Sequence, residues 1–300
     1  EGGAVYNFTG PQGFGIANMA DAMWAIKKLV FEDGKYTLSF IKEALENNYG
    51  EDLDAQNAEK LTLTVCKKLA AEGRNLTEDD VKKIYETVRT NPCSESDKAR
   101  YKTLLNDIRA LPKFGNDIRD IDEFARDVAY VYTKKLETFT NPRGGRFQAG
   151  LYPVSANVPL GAQTGATPDG RLAYTPVADG VSPAAGRDVK GPTAACNSVS
   201  TLDHFIASNG TLYNMKFHPT VLAGKNGLEN FVSLVQGYFD KKGSHMQFNV
   251  VSRETLRDAQ KHPENYKGLV VRVAGYSALF TTLSRSLQED IINRTEQGGF

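Results

Sequence analysis

Val271-Arg272-Val273-Ala274-Gly275-Tyr276-Ser277-Ala278-Leu279-Phe280 lies near the end of this 300-residue chain. A Val-rich run leads into a glycine and an aromatic residue, and a second apolar run follows. The pattern predicts a buried strand over 268–274 that breaks at Gly275. On spacing alone Gly275 is a turn glycine at a strand end, chosen for its lack of a Cβ. Glycine has one further chemical capacity. Loss of a hydrogen atom from its α-carbon leaves a radical that no Cβ hinders from planarity and that spreads over both flanking amides. Such a centre needs shelter from oxygen, so a radical reading predicts burial in a tight site.

Working outward, a second strand is expected over 246–252, with a helix beginning near Ser252 between the two. Ser286-x-x-Glu289 reads as a capping box opening a short helix through Ile291 and Ile292. Toward the N-terminus, helical spacing recurs over 16–30, 37–47, 121–136 and 228–239. Residues 51–110 are highly charged and helical in pattern, with Thr77-x-x-Asp80 as a helix start. This block reads as a peripheral helical insertion with a solvated face. From Asn141 to Asn214 charges thin out and Gly, Pro, Asn, Ser and Thr dominate, which predicts a long functional loop region. Strands alternating with helices favour an α/β fold.

Lys+Arg and Asp+Glu are 36 each, so the net charge of zero gives no electrostatic case for nucleic acid or an anionic membrane as partner. Three cysteines argue against a disulfide framework and fit a reducing, cytoplasmic setting. The longest uncharged run, 147–168, is too rich in Gly and Pro for a membrane span. The chain opens at Glu1-Gly2-Gly3-Ala4 without an initiator Met and reads like the middle of a folded segment.

Arg272-Val273-Ala274-Gly275-Tyr276 resembles the radical-bearing signature of the glycyl radical enzymes. Further segments resemble the same family: Tyr6-Asn7-Phe8-Thr9-Gly10-Pro11-Gln12-Gly13, 141–153, Thr164-Gly165-Ala166-Thr167-Pro168-Asp169-Gly170-Arg171, Ala207-Ser208-Asn209-Gly210-Thr211 and 245–251. Ala274 before the glycine and Ser277-Ala278-Leu279-Phe280 after it resemble the dehydratase and C–N lyase branch. The 51–110 block resembles an insertion of 1,2-propanediol dehydratase rather than glycerol dehydratase.

The resemblance implies the second half of a ten-stranded α/β barrel ringed by helices over 1–240, and a C-terminal glycyl radical domain over 241–300. It implies a lyase that stores a radical on Gly275, passes it to a thiyl cysteine and eliminates water from a small 1,2-diol such as propanediol or glycerol, giving an aldehyde. A radical-SAM activating enzyme would install the radical, with no B12 and no metal in this chain. A homodimer is implied, as is a cytoplasmic location, with a bacterial microcompartment as its special case. Choline trimethylamine-lyase and a non-catalytic spare-part radical domain are the rival readings.

The family's cysteine loop, Gly-Cys-x-Glu, lies upstream of Gly10-Pro11-Gln12-Gly13 and does not occur among these 300 residues. The chain alone is therefore expected to be inactive, the N-terminal half-barrel lying outside it. Cys93-Ser94-Glu95 mimics part of the motif but reads as a surface-loop decoy. Cys66 reads as a helix-face residue and Cys196 as a buried packing residue. By the resemblance Tyr152 lines the substrate site; a core tyrosine with a satisfied hydroxyl explains it nearly as well. Arg272 and Tyr276 are expected to position the glycine loop. His204, His218, His245 and His262 lack metal-ligand spacing, so no metal site is expected. Arg143 and Arg146 read as loop anchors rather than an anion clamp.

Overall fold

The computed structural model of the chain describes residues 7–300, so Tyr6 and the opening residues lie outside the described ones. Helices α1 (Ile16–Ile26), α2 (Leu38–Glu46), α3 (Ala55–Ala71), α4 (Glu78–Arg89), α5 (Glu95–Ala110), α6 (Arg119–Leu136), α7 (Asn157–Gly161) and α8 (Pro192–Ser200) come first. Strand β1 (Asn214–Phe217), helix α9 (Gly224–Asp240), strand β2 (Gln247–Val250) and helix α10 (Arg253–Lys261) follow. The chain then makes β3 (Val270–Arg272), β4 (Ser277–Leu279), α11 (Arg285–Asn293) and β5 (Glu296–Gln297). None of the described helices is long and apolar enough to cross a membrane.

The contacts divide the chain into two compact units. One comprises 25–111 and 161–175. Its core gathers Leu29, Ile41, Ala44 and Tyr49 with Tyr101, Leu104, Leu105 and Ile108 of α5. This refines the reading of 51–110 as a helical insertion with a solvated face. It holds for α4, which buries no residue, whereas α5 supplies four buried side chains to this core. Burying each large apolar side chain contributes ~1.5–3 kcal/mol, which outweighs the charge of the helix's outer face. Thr77 and Asp80 make the expected capping box at α4.

The other unit comprises 1–24, 112–160 and 176–300. Its sheet runs β2-β1-β5 with both neighbours parallel to β1. Isolated parallel bridges join Thr9 to Phe147, Gln12 to Gly150 and Leu151 to Thr211. The expected strand over 268–274 is shorter, and with β4 it forms an antiparallel hairpin in the register Val270 to Leu279, Val271 to Ala278 and Arg272 to Ser277. Val271, Val273 and Phe280 are buried with Leu256 and Ala259 of α10 and Ile291 and Ile292 of α11, which pins the hairpin's inner face.

Two expectations fail locally. The loop region 141–214 contains α8, started by Gly191 with φ +88 and by Pro192 in the first turn, where proline's fixed φ suits a helix. Helix α11 is capped by Ser284, which accepts from the Leu287 N–H, and not by Ser286. Glu289, the expected partner of Ser286, instead takes two hydrogen bonds of 2.6 and 2.7 Å from Arg257 of α10. A carboxylate paired with a guanidinium has charge on both partners, whereas a cap contact offers it only a neutral N–H.

Candidate functional site

Gly275 lies in the turn Val273-Ala274-Gly275-Tyr276 that joins β3 to β4, closed by the Val273 N–H donating to the Tyr276 carbonyl at 2.8 Å. Its φ is +84, a conformation that L side chains rarely adopt. Among the described residues a Cβ placed there would meet only Leu212 Cδ1, at 3.7 Å, so backbone angle and not crowding calls for glycine. Within this chain Gly275 is exposed, as are Tyr276 and Ser277. The expected burial is not met within this chain: the inward apolar residues of the hairpin are Val271 and Val273, and the turn projects beyond them.

The hairpin rests on a polar sheet face. In β2, Gln247 and Asn249 are buried while Val250 is exposed, the inverse of an amphipathic strand over an apolar core. In β1, Asn214 stands beside Gln247 and Lys216 beside Asn249. The Asn249 side chain accepts from the Arg272 N–H and donates to the Arg272 carbonyl, both at 2.8 Å. Gln247 Oε1 accepts from the Gly275 N–H and from the Arg272 guanidinium, both at 3.1 Å. A second Arg272 nitrogen donates to Ser277 Oγ at 3.1 Å, across the hairpin. The structure thus brings Arg272 and Gly275 onto one acceptor.

Behind this contact the polar chain continues inward. Gln247 Nε2 donates to Asn214 Oδ1, and Asn214 Nδ2 donates to the Asp179 carboxylate. Arg294 lies 3.7 Å from Asp179 and 3.0 Å from Asp290, and Asp290 also accepts from Asn157. Burial works against the charge on Arg294, yet Asp179 and Asp290 outweigh it and hold its pKa above the usual value. Lys216 donates to the Ile292 carbonyl at 2.7 Å; burial pushes its pKa down to about 8 against the pull of Glu296.

Tyr152 is half-buried, and its hydroxyl accepts from Asn209 Nδ2 at 2.8 Å. It follows Leu151, whose carbonyl accepts from the N–H of Leu212, the residue beneath Gly275. No direct contact of Tyr152 with the glycine turn is among the described interactions. Arg143 and Arg146 are exposed. Asn141 anchors their loop instead, accepting from the Arg143 and Gly145 N–H groups and donating to the Asn7 carbonyl and Thr9 Oγ1.

Cys196 is buried, and burial pushes its thiol up to about 12. Cys93 is half-buried and donates to Asn47 Oδ1 at 3.2 Å, with its thiol also raised chiefly by burial. Neither environment favours a reactive thiolate. Cys66 is half-buried on α3, as expected. His204 is buried between Thr211 and the Val199 carbonyl, and His245 accepts from the Tyr213 N–H at 3.4 Å. Candidate ligand atoms of His218, Glu254 and Glu296 lie within 4.8 Å of one another, a grouping invisible to sequence spacing because the residue after β1, α10 and β5 assemble it. Lys216 Nζ is 3.9 Å from Glu296, so a cation already faces that carboxylate.

The family described as Pyruvate formate lyase-like matches residues 1–161, and the one described as Glycine radical matches residues 177–281, the hairpin included. The chain belongs to the glycyl radical enzyme family. A solved structure concerned with 1,2-propanediol dehydration in Roseburia inulinivorans is 60% identical, with a TM-score of 0.84 over 99% of this chain and 32% of that one. The B12-independent glycerol dehydratase of Clostridium butyricum is 48% identical, with a TM-score of 0.80 over 99% of this chain and 32% of that one. Among curated glycyl radical relatives, trans-4-hydroxy-L-proline dehydratase of Clostridioides difficile is 35% identical over 99% of this chain and 31% of its own length. The chain spans about a third of the length of these relatives.

Proposed function

We propose that this chain is the radical-storing portion of a B12-independent diol dehydratase, with Gly275 as the store. The observation that carries the reading is the Gly275 turn itself, with φ +84 and its N–H held by Gln247, inside Arg272-Val273-Ala274-Gly275-Tyr276. When present, the radical supplies a hydrogen-atom abstractor, relayed through a thiyl cysteine to a small 1,2-diol that then loses water. Arg272 holds the turn through Gln247 and Ser277, and Tyr276 closes it through its backbone carbonyl. Tyr152 is the substrate-facing residue of this proposal, with Asn209 fixing its hydroxyl.

The thiyl cysteine lies outside these residues in this reading, because Cys196 is locked in the interior and Cys93 is held by Asn47. Residues 1–240 then form the second half of the barrel and 241–300 the radical domain. The exposed turn is covered by the other half-barrel, which supplies the shelter that Gly275 lacks here. A radical-SAM activating enzyme and a second copy of the protein are the partners. The similarity to the propanediol and glycerol dehydratases favours a diol over choline as substrate, and the extent of similarity beyond the hairpin favours an enzyme over a spare-part domain.

The test is EPR under strict anoxia with a cognate activating enzyme, S-adenosylmethionine and a reductant. The expected result is a doublet that collapses when α-deuterated glycine is incorporated and that is absent in Gly275→Ala. Absence of any radical in this chain and in a form carrying the Gly-Cys-x-Glu loop would remove the radical-store reading. Aldehyde formed from 1,2-propanediol by the longer form, with none from choline, would establish the diol assignment.

A further inference from the structure

Resting on the reading of Gly275 as the radical store, we propose that Gln247 is the positioning residue of the glycine turn. Its side-chain carbonyl takes the Gly275 N–H and fixes the peptide plane over which the radical spreads. Delocalisation over the Ala274–Gly275 amide requires that amide to hold a set orientation relative to the α-carbon. Among the described residues few atoms crowd the turn: Leu212 Cδ1 alone comes within 4 Å of a Cβ built on Gly275. Of the contacts these residues offer, the hydrogen bond from the Gly275 N–H to Gln247 Oε1 at 3.1 Å is the one that directly restrains the plane.

The direction of the Gln247 amide is set from the interior. Asp179 presents a carboxylate, which accepts only. Asn214 must therefore turn its NH2 toward Asp179 and its oxygen toward Gln247. Gln247 must then donate its NH2 to that oxygen and turn its own carbonyl outward. Arg272, a donor without acceptor capacity, meets the same carbonyl at 3.1 Å and requires the same orientation. Both ends of the chain thus demand one polarity, and the outward carbonyl is where the Gly275 N–H lies. Gln247 and Asn214 are adjacent in the parallel register of β1 and β2, so the relay is built on sheet and not on loop. Arg294, 3.7 Å from Asp179, anchors the inner end.

The test uses the protein together with its activating enzyme. Gln247→Leu removes the acceptor, while Gln247→Glu keeps an acceptor for both the Gly275 N–H and Arg272 and gives up only the donor to Asn214. Anoxic EPR and proton ENDOR in H2O and D2O read the coupling of the exchangeable Gly275 amide proton, the radical yield and its decay. The expected result is an altered amide-proton coupling and about fivefold lower yield in Gln247→Leu, the scale of one neutral hydrogen bond, with both restored toward wild type in Gln247→Glu. A purely structural role would change yield without changing that coupling.

An unchanged coupling and lifetime in Gln247→Leu would overturn the proposal while leaving the radical-store reading intact. A silent wild type would overturn both. Should Gln247→Leu fail to fold, hydrogen exchange of the unactivated wild type decides. A protected Gly275 amide is expected, and one exchanging at the rate of a free loop amide would overturn the proposal.

Discussion

Asn249 and Arg272 are joined by a closed pair of hydrogen bonds, side-chain amide to backbone, each 2.8 Å long. The pair couples the last strand pair of the chain's hairpin to the sheet in the way another strand would, with a side chain standing in for a backbone. Asn249 is 6% exposed, so loss of the pair leaves both the N–H and the carbonyl of Arg272 poorly solvated. Asn249→Leu is expected to cost ~2–3 kcal/mol in urea unfolding. It is also expected to speed amide exchange at Arg272 more than at the caps of α10. Equal protection in variant and wild type would show that the hairpin is held by its apolar face alone.

Two glycines with positive φ make predictions of different size for the same substitution. At Gly275 a methyl group meets only ordinary contact, so Gly275→Ala is expected to lose ~1–2 kcal/mol for the φ of +84 while losing the radical completely. At Gly180, with φ +52, the methyl group is driven into the Leu212 carbonyl and lies 3.0 Å from the Leu151 carbonyl. Backbone oxygens in paired segments do not yield as a side chain does, so Gly180→Ala is expected to cost ~3 kcal/mol or more. Urea melts of the two variants would rank them.

Asp122 provides a pH signature. Burial pushes its carboxyl up from 3.8 to about 6, partly offset by the hydrogen bond from Ser198. A raised carboxyl binds its proton more tightly in the folded state. Its contribution to stability is therefore full below pH 3.8 and is lost as pH rises through about 6. Asp122→Asn removes this titration. The stability of the variant relative to wild type is expected to rise by ~1–2 kcal/mol between pH 4 and 7 and to stay level above that. A difference that does not change with pH would show that Asp122 titrates normally.

The three cysteines should separate by accessibility. With its thiol raised to about 12 in the interior, Cys196 is expected to resist iodoacetamide at pH 8 until the protein unfolds. Half-buried Cys66 and Cys93 are expected to react first. Peptide mapping after timed alkylation would show the order, and early labelling of Cys196 would mean that α8 opens readily.

Local signals were legible wherever one residue type does one job. The Thr77 and Asp80 capping box and the apolar period of α6 appear in the structure as the sequence predicts. β1 was not legible. Asn214-Met215-Lys216-Phe217 is buried on both faces, and its polar residues find partners only through distant segments such as Asp179 and Ile292. Ser286 misled because Glu289 had a charged partner on another helix. At the site, the glycine and Arg272 stood out through their motif. Gln247 and Asn249 passed as ordinary strand residues, because their alternation with Phe248 and Val250 reads as a strand that turns its amides outward, the inverse of what the structure shows.

The parallel pairing of β1 with β5 has a consequence for how the molecule is made. Lys216 waits for a carbonyl 76 residues later in the chain, and β5 follows the glycine hairpin in synthesis. Contacts this distant in sequence form slowly, after local helices. On the ribosome, the hairpin therefore emerges before Arg294 and the strand that completes its supporting sheet. The seat of the glycine turn is completed only after the turn itself, so a chain interrupted between the hairpin and β5 lacks an ordered turn, and quality control meets an open sheet edge instead.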